Sequence, residues 1–306
     1  MSTKAAAHKP QASALPKRRV WLMAIRVPTL PAAVAPVLVG SAYGAAHGAF
    51  RPWVFLAALL SALLIQIGTN LTNDLFDFRK GADTKERVGP VRVTVSGLLT
   101  PREVAIGSWV TFGLAFLLGL YLVWVGGWPV FLVGVTGIAA GILYTGGPWP
   151  LGYHGLGDLF AFLYFGVFAV VCTGYLHLDA VPAALWWASL PVACIVTAIL
   201  VSNNLRDIET DRKAGKRTLA VRLGPTGAKI EYTLLLFVAY VVPAAMWASG
   251  HAAAYALLPW LTLPIAAGLV RRVWTASGAQ LIPALKGTGK LHLLFSILFS
   301  AGVLLS

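Results

Sequence analysis

Apolar residues gather into long blocks along this chain, Trp53–Ile67 and Trp109–Val125 among them, separated by short breaks of glycine, proline and charge. A helix that crosses a membrane needs about 20 mostly apolar residues. Nine windows approach that length: 28–46, 52–76, 104–126, 129–145, 157–177, 184–205, 230–248, 252–272 and 290–306. Several are joined by very short turns, such as Gly126-Gly127-Trp128 and Ser249-Gly250-His251, and short connections make neighbouring helices antiparallel. A segment crossing lipid must satisfy its own backbone hydrogen bonds, which leaves helices as the answer here. The pattern predicts an all-α membrane protein, a bundle of nine transmembrane helices.

Composition agrees. The chain is 58% hydrophobic and 11% charged, where a soluble domain carries about 25% charged residues. Lys17-Arg18-Arg19 ahead of an apolar run has the look of a signal peptide, but Arg26 and Pro28 interrupt the run and no small-residue cleavage site follows, so a retained first span is expected. Residues 1–19 are expected to form a disordered basic tail and 20–306 a single transmembrane domain. With nine spans, the loops on the N-terminal side collect every one of the 24 Lys and Arg residues except Arg51. Positive charge is retained in the cytoplasm, so the N-terminus is placed there and the C-terminus outside, across a bacterial-type inner membrane. The net charge of +13 then forms a fringe suited to anionic headgroups or an anionic substrate; no soluble domain exists to dock nucleic acid. Cys172 and Cys194 lie inside apolar runs without CxxC spacing, and the six histidines form no HxxxH or HExxH pair. Any metal should therefore be a hard one held by oxygen.

The eleven acidic residues carry the chemistry. Asn70, Asn73, Asp74 and Asp77 stand at i, i+3, i+4 and i+7, one helix face if the second span continues through them. Asn203, Asp207 and Asp211 recur every four residues at the end of the sixth span. The two faces lie at the same membrane side four spans apart, which suggests a pseudo-repeat of four-helix units. Carboxylate faces meeting there make an oxygen-lined divalent-metal site, and the Lys and Arg residues around them fit a diphosphate held by metal and cations. Ordinary solvated ion pairs would explain one such loop; two matched faces are better explained by function.

On these residues the chain resembles the UbiA superfamily of intramembrane prenyltransferases. Asn73-Asp74-Leu-Phe-Asp77 is similar to the family's first motif, NDxxD, and Asp207-Ile-Glu-Thr-Asp211 to its second, DxxxD. The segments Trp21–Pro36, Arg87-Val-Gly-Pro90-Val-Arg92, Tyr144-Thr-Gly-Gly-Pro148, Asn203–Asp207 and Gly215-Lys216-Arg217-Thr218-Leu219 look like the menaquinone branch. The resemblance implies a cytoplasmic-side active site and Mg2+ bound by Asn73, Asp77, Asp207 and Asp211, with Asp74 beside them. It implies a diphosphate gripped by Arg26 and Arg92, with Lys216 and Arg217 as further contacts and Asn70 and Asn203 lining the site. Tyr144 matches a tyrosine near the allylic carbon. Two departures stand out. Where the wider family places a third aspartate this chain has Gly81, leaving Asp83 two residues on as a candidate metal ligand. The Lys/Arg pair that follows the tyrosine in the 4-hydroxybenzoate branch is replaced by Gly-Gly-Pro-Trp-Pro.

The implied substrates are a polyprenyl diphosphate and 1,4-dihydroxy-2-naphthoate, joined with loss of carbon dioxide to give demethylmenaquinone. Phe160, Phe162, Tyr144 and Tyr164 are candidates to face the allylic cation. The same bundle could instead serve another aromatic acceptor, homogentisate or 4-hydroxybenzoate. A transporter is a more remote alternative, since transporters place ionisable groups near the midplane and the span interiors here hold almost none.

Overall fold

The computed structural model describes residues 15–81, 89 and 91–306. Asp83, Lys85 and Arg87 lie outside the described residues. Everything described is helix or connection, and no strand occurs among the described residues.

A short helix α1 (Lys17–Ile25) begins inside the stretch expected as tail, stops at Arg26 in the left-handed region (φ 56°) and passes through a 3-10 turn into α2 (Pro31–Ala46), bent by 51°. Then follow α3 (Pro52–Arg79), α4 (Pro101–Gly126), α5 (Trp128–Leu143), α6 (Gly157–Leu178), α7 (Ala183–Arg206), the single-turn α8 (Ile208–Lys213), α9 (Leu219–Ala248), α10 (Ala254–Thr275) and α11 (Gly278–Leu304). Seven of these, α3, α4, α6, α7, α9, α10 and α11, are long and apolar enough to cross a membrane, and the bent pair of α1 and α2 can supply an eighth. The chain is a multi-pass membrane protein. Helix α5 is apolar but only 16 residues long.

Local sequence explains the ends. Thr100 and Glu103 close a reciprocal capping box on α4, with Pro101 in the first turn. Several helices run further towards the motif side than the apolar windows reach. Helix α9 starts at Leu219 rather than 230, through a kink at Gly224 (φ 72°), and α11 at Gly278 rather than 290. Basic residues at 222, 229 and 286 sit within these extensions; there the helix leaves the apolar layer and charge no longer marks its end.

Packing divides the bundle. The largest apolar core joins α2, α6, α7, α9, α10 and α11. Helix α2 meets α6 through Gly40 and Gly44, where an added Cβ would lie 2.6 Å from the Val170 carbonyl and 2.4 Å from the His177 Cβ; small residues four apart let two backbones close up in lipid. At the end of the bundle away from the motifs, fully buried His177 bridges the backbone N–H of Arg51 (3.1 Å, to Nδ1) and the Ser41 hydroxyl (3.0 Å, to Nε2). Arg51 pairs there with Asp179. Hydrogen bonding from Arg51 holds the Asp179 carboxyl below its ordinary pKa. The other half, bounded by α2, α3, α4, α5 and α6, is built around a cavity.

Candidate active site

The cavity has a volume of about 980 Å³, at the upper end for a ligand pocket. Its mouth is polar and contains Arg26, Asn70, Asn73, Asp77, Arg92, Tyr144, Asn203, Asp207, Asp211 and Lys216. Its shaft is apolar and reaches Leu122, Val130 and Leu176, residues of the small core at the far end of the bundle. Along α3 the lining runs from Ala58 to Asp77, roughly 28 Å at 1.5 Å per residue, close to the thickness of a bilayer's hydrocarbon layer.

Helix α3 does continue through the first motif. Asp77 is 2% exposed and fully engaged: Oδ2 accepts from Arg92 (2.9 Å), and Oδ1 from Lys216 Nζ (2.9 Å) and the Tyr153 hydroxyl (3.0 Å). Asn73 accepts from the Thr145 hydroxyl at 2.8 Å, and Asn70 donates to the Ile25 carbonyl and the Thr29 hydroxyl, both at 2.9 Å. Asp74 turns elsewhere. It is buried outside the cavity and accepts the backbone N–H groups of Val93 and Thr94, each at 3.2 Å. Its part is to anchor the segment that carries Arg92.

The second motif is not one continuous helix. Helix α7 ends at Arg206, Asp207 has φ −97° and ψ 7°, and α8 resumes after it. The hydrogen bond from Asp211 N–H to the Asp207 carbonyl (2.8 Å) bridges the break, so Asn203, Asp207 and Asp211 still share the cavity. The buried guanidinium of Arg206 pairs with the Asp207 carboxylate and donates to Asn203 Oδ1 at 3.0 Å. The lysine–arginine pair after it divides. Lys216 points in, whereas Arg217 is exposed and absent from the lining, because its N–H bonds the Tyr153 carbonyl and its own carbonyl accepts from Arg222.

Tyr144 faces the cavity just past the end of α5. Burial raises its pKa, and the charges of Asp158, Asp211 and Asp77 raise it further, so the phenol keeps its proton. Phe160, Tyr164 and Phe168 form an aromatic run down one wall, with ring centres 5.8 and 5.2 Å apart. Phe162 instead packs against the main core. Tyr164 lies within a π-helical stretch, Ala161–Val167, that Phe160 and Phe168 flank, a feature that recurs at functional sites.

Spacing did not reveal Tyr153, and it left Lys80 and Arg206 as two among the cations around the motifs. Tyr153 lies in an uncharged Gly/Pro-rich loop; Arg206 only stood out as a neighbour of Asp207. Lys80 Nζ donates to the Thr145 carbonyl at 2.7 Å, which brings a cation to the loop after Tyr144. Burial lowers its pKa; the charge of Asp77 opposes this and that of Lys216 adds to it.

No three His, Cys, Asp or Glu side chains group tightly enough to hold a metal unaided among the described residues. The donors around the mouth are carboxylate and amide oxygens, with Cys172 part of the lining and no histidine. Such a set fits a hard ion that takes one or two carboxylates and fills its remaining positions from water and phosphate.

A tunnel through helices with two aspartate motifs and a ring of cations at its mouth defines an intramembrane enzyme for an anionic headgroup on a long apolar tail. Residues 33–298 match the UbiA prenyltransferase family, and the chain belongs to that family. It is 35% identical over 279 residues (91% of this chain, 90% of the relative) to the 1,4-dihydroxy-2-naphthoate octaprenyltransferase of Bacillus subtilis. It is 40% identical over 283 residues (90% and 94%) to the protein of that name from Mycobacterium tuberculosis. The fold is similar to that of a UbiA homolog from Archaeoglobus fulgidus bound to GPP and Mg2+, with a TM-score of 0.67 at 18% identity over 94% of this chain and 100% of that one.

Proposed function

We propose that this chain transfers a polyprenyl group from its diphosphate to 1,4-dihydroxy-2-naphthoate, with decarboxylation, giving demethylmenaquinone in its quinol form. The observation that carries the reading is the continuity of the cavity: cations and both aspartate motifs at its mouth open directly into an apolar shaft. A prenyl diphosphate has that same division. The acceptor follows from the names of the relatives and from the segments after Tyr144 and Asp211. Absence of the Lys/Arg pair after Tyr144 disfavours an acceptor that keeps its carboxylate.

In this reading Arg26, Arg92 and Lys216 receive the diphosphate oxygens and stabilise the charge that builds as the allylic C–O bond breaks. Asp77, Asp207 and Asp211, with Asn73, hold Mg2+, which neutralises that charge as a Lewis acid when bound. Asp77 exchanges part of its present cation shell when diphosphate arrives, so Lys216 moves from a carboxylate to a phosphate partner without entering water. The aromatic run of Phe160, Tyr164 and Phe168 lines the path of the allylic segment and can stabilise a cation there. Tyr144 faces the same space and orients the reactants. The diphosphate leaves with the C–O electron pair, a ring carbon bonds to the allylic carbon, and the ring carboxylate departs as carbon dioxide.

The topology proposed with this function has nine crossings, α2–α7 and α9–α11, with two motif-bearing halves related as a pseudo-repeat. The mouth and N-terminus face the cytoplasm, the C-terminus lies outside, and residues 20–306 act as one domain. Purified protein in detergent, given Mg2+, polyprenyl diphosphate and each aromatic acceptor in turn, tests the assignment. Product is expected from the naphthoate, and turnover is expected to be lost in Asp77→Asn and Asp211→Asn. Prenylation of another acceptor alone would overturn the naphthoate assignment, and near-normal activity of either variant would overturn the two-motif site.

A further inference from the structure

We infer that Tyr153 is the residue that positions Lys216 at the cavity mouth for the diphosphate, with Lys80 held beside it at the exposed edge, an inference that rests on the reading of that mouth given above. Tyr153 belongs to a 3-10 turn, Leu151–His154, between α5 and α6, and lies on neither aspartate motif. It nonetheless joins them. Its hydroxyl donates to Asp77 Oδ1 at 3.0 Å, the oxygen that Lys216 Nζ reaches at 2.9 Å. Its ring carries two ammonium groups, Lys80 Nζ 4.8 Å and Lys216 Nζ 4.9 Å from the centroid. Its carbonyl accepts the N–H of Arg217 at 3.0 Å, so the backbone beside Lys216 is tied to the same residue.

Two ammonium groups held this close to one ring repel each other. The negative face of an aromatic ring is a partner that holds an ammonium without neutralising it. Tyr153 therefore holds Lys216 in the mouth, where Asp77 is the partner it exchanges for phosphate, and holds Lys80 beside the mouth. The ring does the holding; the hydroxyl fixes the ring against Asp77.

The assignment makes phenylalanine and leucine different at this position. Wild-type protein, Y153F and Y153L, each full length in detergent with Mg2+, are titrated calorimetrically with inorganic pyrophosphate, and KM is measured for both substrates. Y153F is expected to bind pyrophosphate within about threefold of wild type. Y153L is expected to bind it about 3- to 30-fold more weakly, the worth of one or two ammonium–ring contacts. KM for the prenyl diphosphate should rise in step while KM for the acceptor stays put. Unchanged binding in Y153L, equal loss in Y153F and Y153L, or a joint rise of both KM values would each overturn the inference. Wild-type protein that binds no pyrophosphate would overturn the diphosphate reading of the mouth itself, and this inference with it.

Discussion

Lys216 and Asp77 lie 139 residues apart in the chain and meet through a 2.9 Å charge-assisted hydrogen bond. That bond ties the end of α3 to the loop after α8 at the cavity mouth. Replacing Lys216 with methionine removes a cation aimed at developing charge, and kcat should fall about 100-fold. Asp77 keeps Arg92 and Tyr153 as partners, so thermal unfolding should shift little. A large loss of stability with normal turnover in the surviving fraction would contradict the role given to Lys216.

Asp74 should behave unlike Asp77. Its carboxylate holds two buried backbone N–H groups, and leaving such donors without an acceptor costs about 1–3 kcal/mol. Asp74→Ala is expected to lower the unfolding midpoint in detergent and to weaken diphosphate binding through displaced Arg92. Asp77→Asn should instead abolish turnover even in the folded fraction, because it removes the carboxylate that Arg92 and Lys216 share. Differential scanning fluorimetry alongside kinetics separates the two.

The shaft offers a handle on chain length. Gly119 on α4 and Gly134 on α5 line it, and a Cβ added at either meets nothing within 4 Å. Leucine at these positions favours the helix and projects into the shaft. Competition between short and long prenyl diphosphates should shift towards the short one in Gly134→Leu, and further in the double variant. An unchanged product distribution would remove the shaft as the tail site.

At the opposite end, the lowered pKa of Asp179 sets a pH dependence. A carboxyl depressed in the folded protein contributes stability that is fully present above its ordinary pKa and disappears as pH falls through the lowered value. Thermal stability should thus decline on acidification below about pH 4. The pair with Arg51 is largely exposed, so the effect stays under about 1 kcal/mol. Asp179→Asn should remove that part of the profile and leave activity unaltered.

The sequence made the membrane class and both motifs legible because each is written locally. Lipid demands long apolar runs, and i, i+4 spacing shows directly which of Asn70, Asn73 and Asp77 share a face. Ends of helices were harder to read. Once α9 and α11 leave the apolar layer, residues such as Lys229 and Lys286 are as compatible with helix as with loop. Spacing also could not show that Asp207 breaks the helix or that Asp74 turns to the Val93 backbone. Tyr153 was invisible for a plainer reason: its partners lie 76 and 63 positions away, at Asp77 and Lys216, and only the folded chain places them together.

Helix α5 contributes residues to the shaft yet has Val130 as its single buried residue. The wall between the reaction path and the surrounding oil is accordingly one helix thick. A product with a long hydrocarbon tail has no aqueous step to make: it enters a two-dimensional pool directly from the side of the enzyme. Water solubility then places no ceiling on the length of tail the enzyme can hand over.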